Sequence, residues 1–376
     1  MKKIQMVDLV SQYHNIKKEV DASIMNVLES AAFINGPEVK AFQKELEEYL
    51  QVKHVIPCGN GTDALQIALM ALGLKPGDEV ITTTFTFVAT AEVIALLGLT
   101  PVLVDADPDT FTIDIEGVKN NITDKTKAII PVHLFGQCAN MEAIMQIANE
   151  HNLYVVEDNA QAIGANYTFS DGTVKKSGTI GNIGTTSFFP SKNLGAYGDG
   201  GALFTNDDEL ADKMRMIVNH GMKVRYYHDE IGVNSRLDSI QAAVLRIKLR
   251  KLDEYSAARN YAANYYNQAF ASNPKIKTPA IGTYTDHVFH QYTLVLDESI
   301  NRDELREKLA ENDIPAMIYY PVPLHMQKAY KSERYSEGDF PVSEHLAKHV
   351  ISLPMHTELD DEQLAYITAK MNELTQ

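Results

Sequence analysis

Hydrophobic and polar residues alternate along this chain with two different periods. Apolar residues recur at helical spacing over residues 15–30, and a second helix is predicted over residues 38–50. From residue 54 onward, short apolar runs typical of buried strands take turns with helical stretches. The strands are predicted at 54–58, 78–82, 101–104, 127–132, 153–157 and 185–189 and from residue 201, with helices between them that end near residues 72, 97 and 151. This alternation predicts an α/β fold, with a mostly parallel central sheet and helices on both faces.

The pattern changes near residue 250. A helix over 208–219 leads into a polar loop over 221–233, and a long helix is predicted over 235–255. Beyond it the predicted elements are helices at 260–270, 302–312 and 361–373 and strands at 291–296 and 316–319. We therefore expect a large α/β domain over residues 1–250, which includes the N-terminal helices, and a small α+β domain over 251–376.

Composition and charge narrow the class of protein. The chain has 376 residues, with 34 basic and 50 acidic ones, and 34 − 50 gives a net charge of −16. Such an acidic chain is a poor nucleic-acid binder, and the basic stretch 246–251 is interpreted as the solvated side of a helix. No apolar run approaches a membrane span, and the N-terminus lacks the apolar centre of a signal peptide. Two distant cysteines, Cys58 and Cys138, fit a reducing cytoplasm, where we expect the protein to be found.

One loop carries an unusual concentration of chemistry. Lys192 follows the predicted strand 185–189, which stops at Pro190, and four glycines come within the next nine residues. Ligands of α/β sheets bind at this edge, and glycine lets the backbone approach them closely. A lysine amine held in such a pocket loses its proton and attacks a carbonyl. We therefore hypothesise that Lys192 holds pyridoxal 5'-phosphate (PLP) as a Schiff base.

The other parts of a PLP site have candidates at neighbouring strand ends. Residues 59–63 join a strand to a helix and either cradle a phosphate or merely cap the helix through Thr62 or Asp63. Asp158 ends a buried strand, where it either holds the pyridine nitrogen protonated or caps a helix. Phe87 stacks on the cofactor or packs in the core, and His133 is interpreted as a structural histidine. No cluster of His, Cys or Asp has metal-site spacing, so no metal is expected.

These residues lie in motifs that resemble the DegT/DnrJ/StrS family of PLP-dependent nucleotide-sugar aminotransferases, which have the aspartate aminotransferase fold (fold type I). The resemblance runs nearly end to end. Its motifs are FINGPEV at 33–39, GNGTDAL at 59–65, GDEVITTTFTFVATAEVI at 77–94, EDNAQAIGA at 157–165, SFFPSKNLGAYGDGGA at 187–202, GVNSRLDSIQAA at 232–243 and YYPVPLH at 319–325.

The resemblance implies a role for each matching residue. Lys192 corresponds to the Schiff-base lysine; family members that are dehydratases have histidine there, so the lysine favours transamination. The implied cofactor-binding residues are Asp158 at the pyridine nitrogen, Gln161 near the ring hydroxyl, Phe87 on the ring face, Gly61, Thr62 and Ser187 at the phosphate, and Asn234, which reaches the phosphate from the neighbouring subunit. The implied substrate-binding residues are Phe33, Gly36, Arg236, Tyr320 and His325.

The resemblance also implies substrates and a homodimer with shared sites. L-Glutamate is the expected donor and a nucleotide-linked keto-sugar the acceptor, for polysaccharide or O-antigen synthesis. The segment 225–238 looks most like the branch acting on UDP-linked 3-keto-2-acetamido sugars, including uronic acids. There Arg236 pairs either with a sugar carboxylate or with a nearby acid of the chain. The helix predicted from Ser235 would point its N-terminus at the phosphate, and the ring side chains at 226–228 suit a subunit interface.

Three alternatives remain at this point. The first is a different acceptor, a dTDP-linked 3-keto sugar or a UDP- or dTDP-linked 4-keto sugar, because His325 is shared with branches that act on 4-keto and on dTDP-linked 3-keto sugars and so does not support the choice. A catalytically silent PLP-binding regulator would keep the cofactor site. A PLP-dependent retro-aldol enzyme or racemase would share Lys192 and Asp158 but not the 319–325 motif.

Overall fold

The computed structural model describes residues 2–376. Its helices are α1 (Leu9–Ser30), α2 (Pro37–Leu50), α3 (Gly61–Ala71), α4 (Ala89–Leu96), α5 (Ile115–Asn120), α6 (Met141–His151), α7 (Asp208–Ile217), α8 (Ser239–Leu249), α9 (Leu252–Phe270), α10 (Arg302–Glu311), α11 (Pro341–His349) and α12 (Asp361–Leu374). Its strands are β1 (His54–Cys58), β2 (Glu79–Thr83), β3 (Thr100–Val104), β4 (Thr126–Ile130), β5 (Tyr154–Asp158), β6 (Asn166–Thr168), β7 (Val174–Lys176), β8 (Ile183–Ser187), β9 (Gly201–Thr205), β10 (Met222–Val224), β11 (Tyr227–His228), β12 (Ile276–Lys277), β13 (Tyr292–Leu296) and β14 (Val350–Leu353).

A seven-stranded sheet forms the centre of the large domain, in the order β1-β9-β8-β5-β4-β2-β3. The pairs from β8 to β3 are parallel, whereas β9 runs antiparallel to both β8 and β1. The expected α/β fold with a mostly parallel sheet is therefore confirmed. Because β2, β3, β4, β5 and β8 share one direction, their carboxyl ends meet at a single edge.

Helices cover both faces of this sheet because successive apolar residues of each strand point to opposite sides. Ile56, Val80 and Val156 pack on one face against α3, α4 and α7. Their chain neighbours Val55, Ile81 and Val155 pack on the other face, against α2 and α8 at one end and α5 and α6 at the other. Strands buried on both faces lack the polar alternation of a half-exposed sheet, in agreement with their apolar sequences.

A second core lies beyond the large sheet. The strands β12, β13 and β14 form an antiparallel sheet, and their side chains pack with those of α9, α10 and α12. The chain between α8 and α9 breaks at residues 250 and 251, where we divided the two domains, and this division stays a prediction. One residue of the first segment, Ile4, is buried within the second core.

Two predicted helices have different bounds in the structure. The first begins at Leu9 rather than near residue 15, because the Asp8 carboxylate accepts a hydrogen bond from the backbone of Ser11 and caps it. The helix predicted over 235–255 begins only at Ser239 and ends at Leu249. Residues 234–238 instead form tertiary contacts, with bridges of Asn234 to Asn219 and of Asp238 to Ile34. The predicted helix 260–270 is the last part of α9.

Strand and loop predictions also need correction. The strand before Lys192 ends at Ser187, since Phe188 turns to contact the backbone of Gly200 and Ala196 in the glycine-rich loop. Residues 316–319 form a single bridge, Met317 to Ser352, rather than a strand. The polar segment 221–233 contains a short hairpin of β10 and β11. The basic stretch 246–251 is not a solvated side, because Lys248 within it is buried.

Candidate active site

The carboxyl edge of the large sheet brings together the residues expected to hold a cofactor. Asp158 is the last residue of β5 and is 6% exposed. It pairs with Thr185 of β8, which places Ser187, two residues further on, at the same edge. Lys192 follows in the loop after β8. Asp158 and Ser187 thus lie on two paired strands, and the backbone of the sheet fixes their relative position.

The Lys192 amine is under the influence of the Asp158 charge but forms no ion pair with it. Its side chain is half-buried, and its Nζ makes no hydrogen bond or ion pair with any of residues 2–376. Burial lowers the pKa of Lys192 to about 8, while the charge of Asp158 acts in the opposite direction. A larger fraction of this amine than of an ordinary lysine is therefore uncharged near neutral pH, and the uncharged amine is the nucleophile toward a carbonyl.

The Asp158 carboxylate is held in one orientation. Its Oδ2 accepts a hydrogen bond from the Thr90 hydroxyl at 2.7 Å, and its Oδ1 accepts one from the backbone of Ala160 at 3.2 Å. These two donors leave lone pairs on both oxygens for a further partner. Sequence reasoning did not identify Thr90, although it lies in the quoted segment 77–94, as the second residue of α4.

The N-terminus of α3 lies directly against the end of β8. A Cβ placed on Gly61 would come within 2.6 Å of the Ser187 Cβ, so only glycine permits this approach. Asn60 caps the helix by accepting from the backbone of Asp63 at 2.8 Å; our alternative that Thr62 or Asp63 is the cap is wrong. Within residues 2–376 the backbone N–H groups of Gly61 and Thr62 find no acceptor, and the Ser187 hydroxyl lies beside them. Free amides at a helix N-terminus suit a phosphate.

Gln161 and Tyr320 meet at the opposite side of this edge. Gln161 is 6% exposed. Its amide nitrogen donates to the Tyr320 hydroxyl at 3.0 Å, and its amide oxygen accepts from the backbone of Phe135 at 2.8 Å. The Phe87 ring is 55% exposed and tilted against Tyr320, with 6.3 Å between the ring centroids. Phe87 is thus not ordinary core packing, and its ring is free to contact a ligand.

A second group of predicted residues lies together beside this edge. Phe33 is 43% exposed, and its carbonyl accepts from the backbone of Ser239. Gly36 is buried against Ala32 and donates its N–H to the Ser239 hydroxyl. Asn234 is exposed, and the next residue, Ser235, accepts from the N–H of Gly59. A helix at Ser235 was expected to point at the phosphate; because α8 starts at Ser239, that expectation is wrong.

Arg236 is the half-buried cation of this second group. Its NH1 donates to Asn219 at 3.1 Å, while its Nε is fully buried without a partner among the described residues. No carboxylate of residues 2–376 lies within ion-pair distance of it, so the alternative of an internal salt bridge does not hold. Arg236 lines a cavity of about 340 Å³ together with Asn35, Val39, Lys40, Gln43, Ile56, Pro57, Arg215, Val218 and Asn219.

Two histidines at this edge have both ring nitrogens engaged. His133 is fully buried, with Nε2 2.9 Å from a Glu157 oxygen and Nδ1 accepting from the backbone of Ala139; it is a structural histidine, as we interpreted it. His325 is also buried, with Nδ1 3.0 Å from the Thr84 hydroxyl and Nε2 3.0 Å from Glu344. The structure therefore leaves His325 no free nitrogen for a substrate.

Glu157, the neighbour of Asp158, is a second residue that sequence reasoning missed. It is fully buried and faces away from the site. Its carboxylate accepts from the backbone N–H groups of Gly178, Ile180 and Gly181 and lies against His133. A carboxylate with this many donors fixes the loop after β7. Because Glu157 and Asp158 are consecutive residues of β5, the same contacts also fix the backbone of Asp158.

These groups fit pyridoxal phosphate. An unpaired amine, an oriented carboxylate and two free helix-terminal amides beside a hydroxyl match its aldehyde, its pyridine nitrogen and its phosphate. The fold and this edge define a PLP-dependent enzyme of aminotransferase type. The sequence model of the DegT/DnrJ/EryC1/StrS aminotransferase family matches residues 14–372, and the chain belongs to that family. The resemblance seen in the sequence is confirmed.

Relatives with known names differ in what they are named for. A pleiotropic regulatory protein of Geobacillus stearothermophilus is 49% identical over 372 residues, 98% of each chain. The UDP-2-acetamido-2-deoxy-3-oxo-D-glucuronate aminotransferase of Pseudomonas aeruginosa is 45% identical over 368 residues, 98% of this chain and 99% of that protein. Others are named for dTDP- or GDP-linked sugars.

Solved structures superpose over the whole chain. DesV of S. venezuelae, in complex with a ketimine intermediate, gives a TM-score of 0.95 at 39% identity and covers 100% of this chain and 99% of its own. NtdA of Bacillus subtilis, with bound cofactor PMP, gives 0.90 at 30% identity and covers 100% of this chain and 86% of its own. The chain is thus a PLP-dependent nucleotide-sugar aminotransferase. Within residues 2–376, no helix is long and apolar enough to cross a membrane.

The lowered pKa of Lys192 gives a first prediction. In cofactor-free protein, the rate at which Lys192 reacts with added PLP should rise with pH up to about 8 and level off above it, because only the uncharged amine attacks. The rate is measured by borohydride trapping and mass spectrometry of the peptide that contains residue 192. Lys192→Ala is the control for other lysines. A rate that still climbs steeply up to the pKa of an ordinary lysine would contradict the burial effect.

The Glu157 contacts give a second prediction, on stability. Glu157→Gln places an amide NH₂, which cannot accept, against backbone donors, so buried N–H groups lose their partner. We expect a loss of about 2–4 kcal/mol, seen as a melting temperature lower by about 4–12 °C. Glu150→Gln, at the exposed end of α6, is the matched control and should melt like the wild type. Equal melting of the two variants would show that the Glu157 charge is not needed.

Proposed function

We propose that this enzyme moves the amino group of L-glutamate to a UDP-linked 3-keto-2-acetamido sugar, and specifically to a uronic acid, in polysaccharide or O-antigen synthesis. The observation that carries the sugar assignment is the unpaired Arg236 on its cavity wall. A half-buried guanidinium without an acidic partner is suited to a carboxylate ligand, which it binds in a bidentate manner. A relative with 45% identity is named for a substrate with this carboxylate.

The residues of the sheet edge divide the work of transamination. When bound, the cofactor supplies an electron sink for the bond that breaks at the donor's α-carbon. Asp158, oriented by Thr90, holds the proton on the pyridine nitrogen. Lys192 Nζ, uncharged above a pH of about 8, takes the α-proton of the donor as general base and returns a proton to the product. The free amides of α3 and the Ser187 hydroxyl hold the phosphate.

Gln161 and Tyr320 lie where they would contact the other side of the cofactor. In this proposal the Gln161 amide reaches the ring hydroxyl, with Tyr320 fixing the amide at 3.0 Å. Burial raises the pKa of Tyr320, so its phenol stays protonated during turnover. The exposed Phe87 ring covers the ring face. Phe33 and Gly36 border the sugar.

We also propose a homodimer in which Asn234 completes the partner's site. The hairpin of β10 and β11 and the residues after it expose large apolar side chains: Val224 is 61%, Tyr226 76%, Tyr227 69% and Ile231 85% exposed. Such a set suits a subunit interface. Asn234 follows directly and is exposed as well, so its side chain is available to a second chain.

A regulator that binds PLP without turnover is the second candidate, because one relative of 49% identity is named a pleiotropic regulatory protein. Glutamate conversion separates the two. A regulator would bind the cofactor and leave glutamate unchanged, whereas an aminotransferase releases 2-oxoglutarate. A retro-aldol enzyme or a racemase would give neither 2-oxoglutarate nor an aminated sugar.

The deciding experiment supplies the protein, PLP and glutamate with a panel of keto-sugars. The panel contains the UDP-linked 3-keto-2-acetamido uronic acid, its neutral counterpart, and dTDP-linked 3-keto and 4-keto sugars. We expect the mass of an aminated product, with the highest kcat/KM for the uronic acid. A dTDP-linked sugar as the best acceptor would replace the proposed substrate but leave the aminotransferase.

Arg236 gives a third prediction. Arg236→Gln should lower kcat/KM for the uronic acid by about 10- to 100-fold, the worth of a hydrogen-bonded charge pair, and change the neutral sugar little. Arg215→Gln is the matched control, because Arg215 lines the same cavity but also contacts Asp212 and His54. That control should affect both sugars by the same factor. If Arg236→Gln lowers kcat/KM equally for both sugars, Arg236 does not contact the sugar carboxylate.

Subunit complementation gives a fourth prediction. Lys192→Ala and Asn234→Ala chains, each inactive, are unfolded and refolded together. Half of a random mixture pairs as heterodimers, and each heterodimer holds one intact site of two, so activity should recover to about a quarter of wild type.

Two controls make this result decisive. Asn234→Ala alone must be clearly impaired, and differently tagged wild-type chains must exchange during refolding. With both verified, no recovery would place Asn234 in the site of its own chain, near Ser235 and Gly59. A monomeric mass by light scattering would exclude shared sites.

A further inference from the structure

Every hydrogen-bonding group of the His325 ring is engaged within the chain. Nε2 lies 3.0 Å from Glu344 Oε1, an oxygen that also accepts from the backbone N–H of Gly338 at 2.8 Å. Because an ionised carboxylate only accepts, Nε2 carries the proton. In the neutral ring, Nδ1 is then an acceptor, and the Thr84 hydroxyl at 3.0 Å donates to it. The same hydroxyl accepts from the backbone N–H of His325 at 3.2 Å, so donors and acceptors match throughout.

This network ties a C-terminal segment to the catalytic edge of the sheet. Thr84 directly follows β2, and its carbonyl accepts from the backbone of Leu324 at 2.9 Å. Two consecutive residues of the 319–325 motif are thus bound to one threonine. Tyr320 lies four residues before Leu324 in the same segment, and the prolines at positions 321 and 323 restrict the backbone between them.

Glu344 is fixed in turn by the neighbouring strand. It lies in the first turn of α11, and the Asp105 carboxylate accepts from the backbone of Val342 and from the backbone and hydroxyl of Ser343. Asp105 directly follows β3, which pairs with β2. The ends of two adjacent strands therefore hold His325 from both sides.

We propose that His325 is a positioning residue of this aminotransferase: locked between Thr84 and Glu344, it holds Tyr320 and thereby Gln161 in place, and it does not touch the sugar. The proposal replaces the expectation that His325 binds substrate. It rests on the proposed place of Gln161 and Tyr320 beside the cofactor. A direct substrate contact would need a free ring nitrogen, and the network leaves none.

The test removes the hydrogen bonds of the Thr84 hydroxyl to His325 and leaves the histidine itself unchanged. Thr84→Val keeps the side-chain shape and deletes the hydroxyl, whereas Thr84→Ser keeps the hydroxyl. Two readouts need no sugar: the pH titration of the absorbance of the Lys192-bound cofactor, and the single-turnover rate with glutamate. We expect Thr84→Val to shift the titration midpoint and slow the single turnover by about 10- to 100-fold, the effect of a small misplacement in a site. Thr84→Ser should behave like the wild type.

A matched control separates positioning from general damage. Thr82→Val removes a buried hydroxyl from β2, the strand that Thr84 follows, and this hydroxyl donates to the carbonyl of Ile130 at 2.9 Å. It should lower the melting temperature without moving the cofactor titration. If Thr84→Val and Thr82→Val behave alike in both readouts, the positioning role is refuted.

A double-mutant cycle tests whether the effect runs through Tyr320. If it does, Thr84→Val combined with Tyr320→Phe should be no slower than the worse single variant. If the rate losses of the two single variants multiply in the double variant, the two residues contribute independently, and the proposal is overturned. If the Tyr320→Phe enzyme is unaffected, Tyr320 does not fix Gln161 beside the cofactor as we proposed, and this inference fails with that proposal. An impaired Tyr320→Phe enzyme beside an unaffected Thr84→Val enzyme would remove this inference alone.

Discussion

Two buried carboxylates follow one another at the end of β5. The rest of the site depends on which hydrogen-bond donors each of them receives. The pleat of the strand sends Glu157 and Asp158 to opposite faces. Glu157 is satisfied from within the chain, by three backbone donors and a buried histidine. Among residues 2–376, Asp158 receives only the Thr90 hydroxyl and one backbone N–H. A buried carboxylate with so few partners is costly unless a ligand completes it, and in our proposal that ligand is the protonated pyridine ring of the cofactor. In this strand the Glu157 carboxylate holds the backbone of the loop after β7, whereas the Asp158 carboxylate keeps lone pairs for a ligand.

The sequence predicted this edge well because its signals are local. A buried strand that stops at an acid, a strand–glycine–helix junction and a lysine before a glycine-rich turn each follow from a few adjacent residues, and the sheet brings them together. Predictions failed where distant residues decide the local structure. Nothing near Ser235 shows that bridges to Asn219 and Ile34 hold residues 234–238 extended. The cap of α3 was missed for a smaller reason: Asn60, Thr62 and Asp63 are all capable residues, and only geometry selects Asn60.

His325 illustrates the difference between lying near a site and acting on a substrate. The family resemblance places its motif near the sugar and so implies a substrate contact. The structure reveals that its partners are Thr84, which is 241 residues away in the chain, and Glu344, 19 residues away. No spacing rule connects three such positions. A histidine with both nitrogens engaged is a cross-link, and here it joins the C-terminal segment to the strand whose end also carries the aromatic residues Phe85 and Phe87.

The residues proposed for the cofactor and those proposed for the sugar differ in how completely one chain defines them. Asp158 and Gln161 are buried and hydrogen-bonded within the chain, and the α3 terminus is half-buried beside Ser187, so a single subunit describes the proposed cofactor site. Phe33, Asn234 and the hairpin of β10 and β11 are exposed, and in the proposed homodimer a second chain would complete their surroundings. Relatives with the same fold are accordingly named for UDP-, dTDP- and GDP-linked sugars. A fixed edge for the cofactor beside a surface that the proposed partner would complete would allow the sugar to change while the chemistry stays the same. On this view Arg236, which is half-buried between the two regions, is the residue whose substitution would alter the choice of sugar with the smallest loss of fold stability.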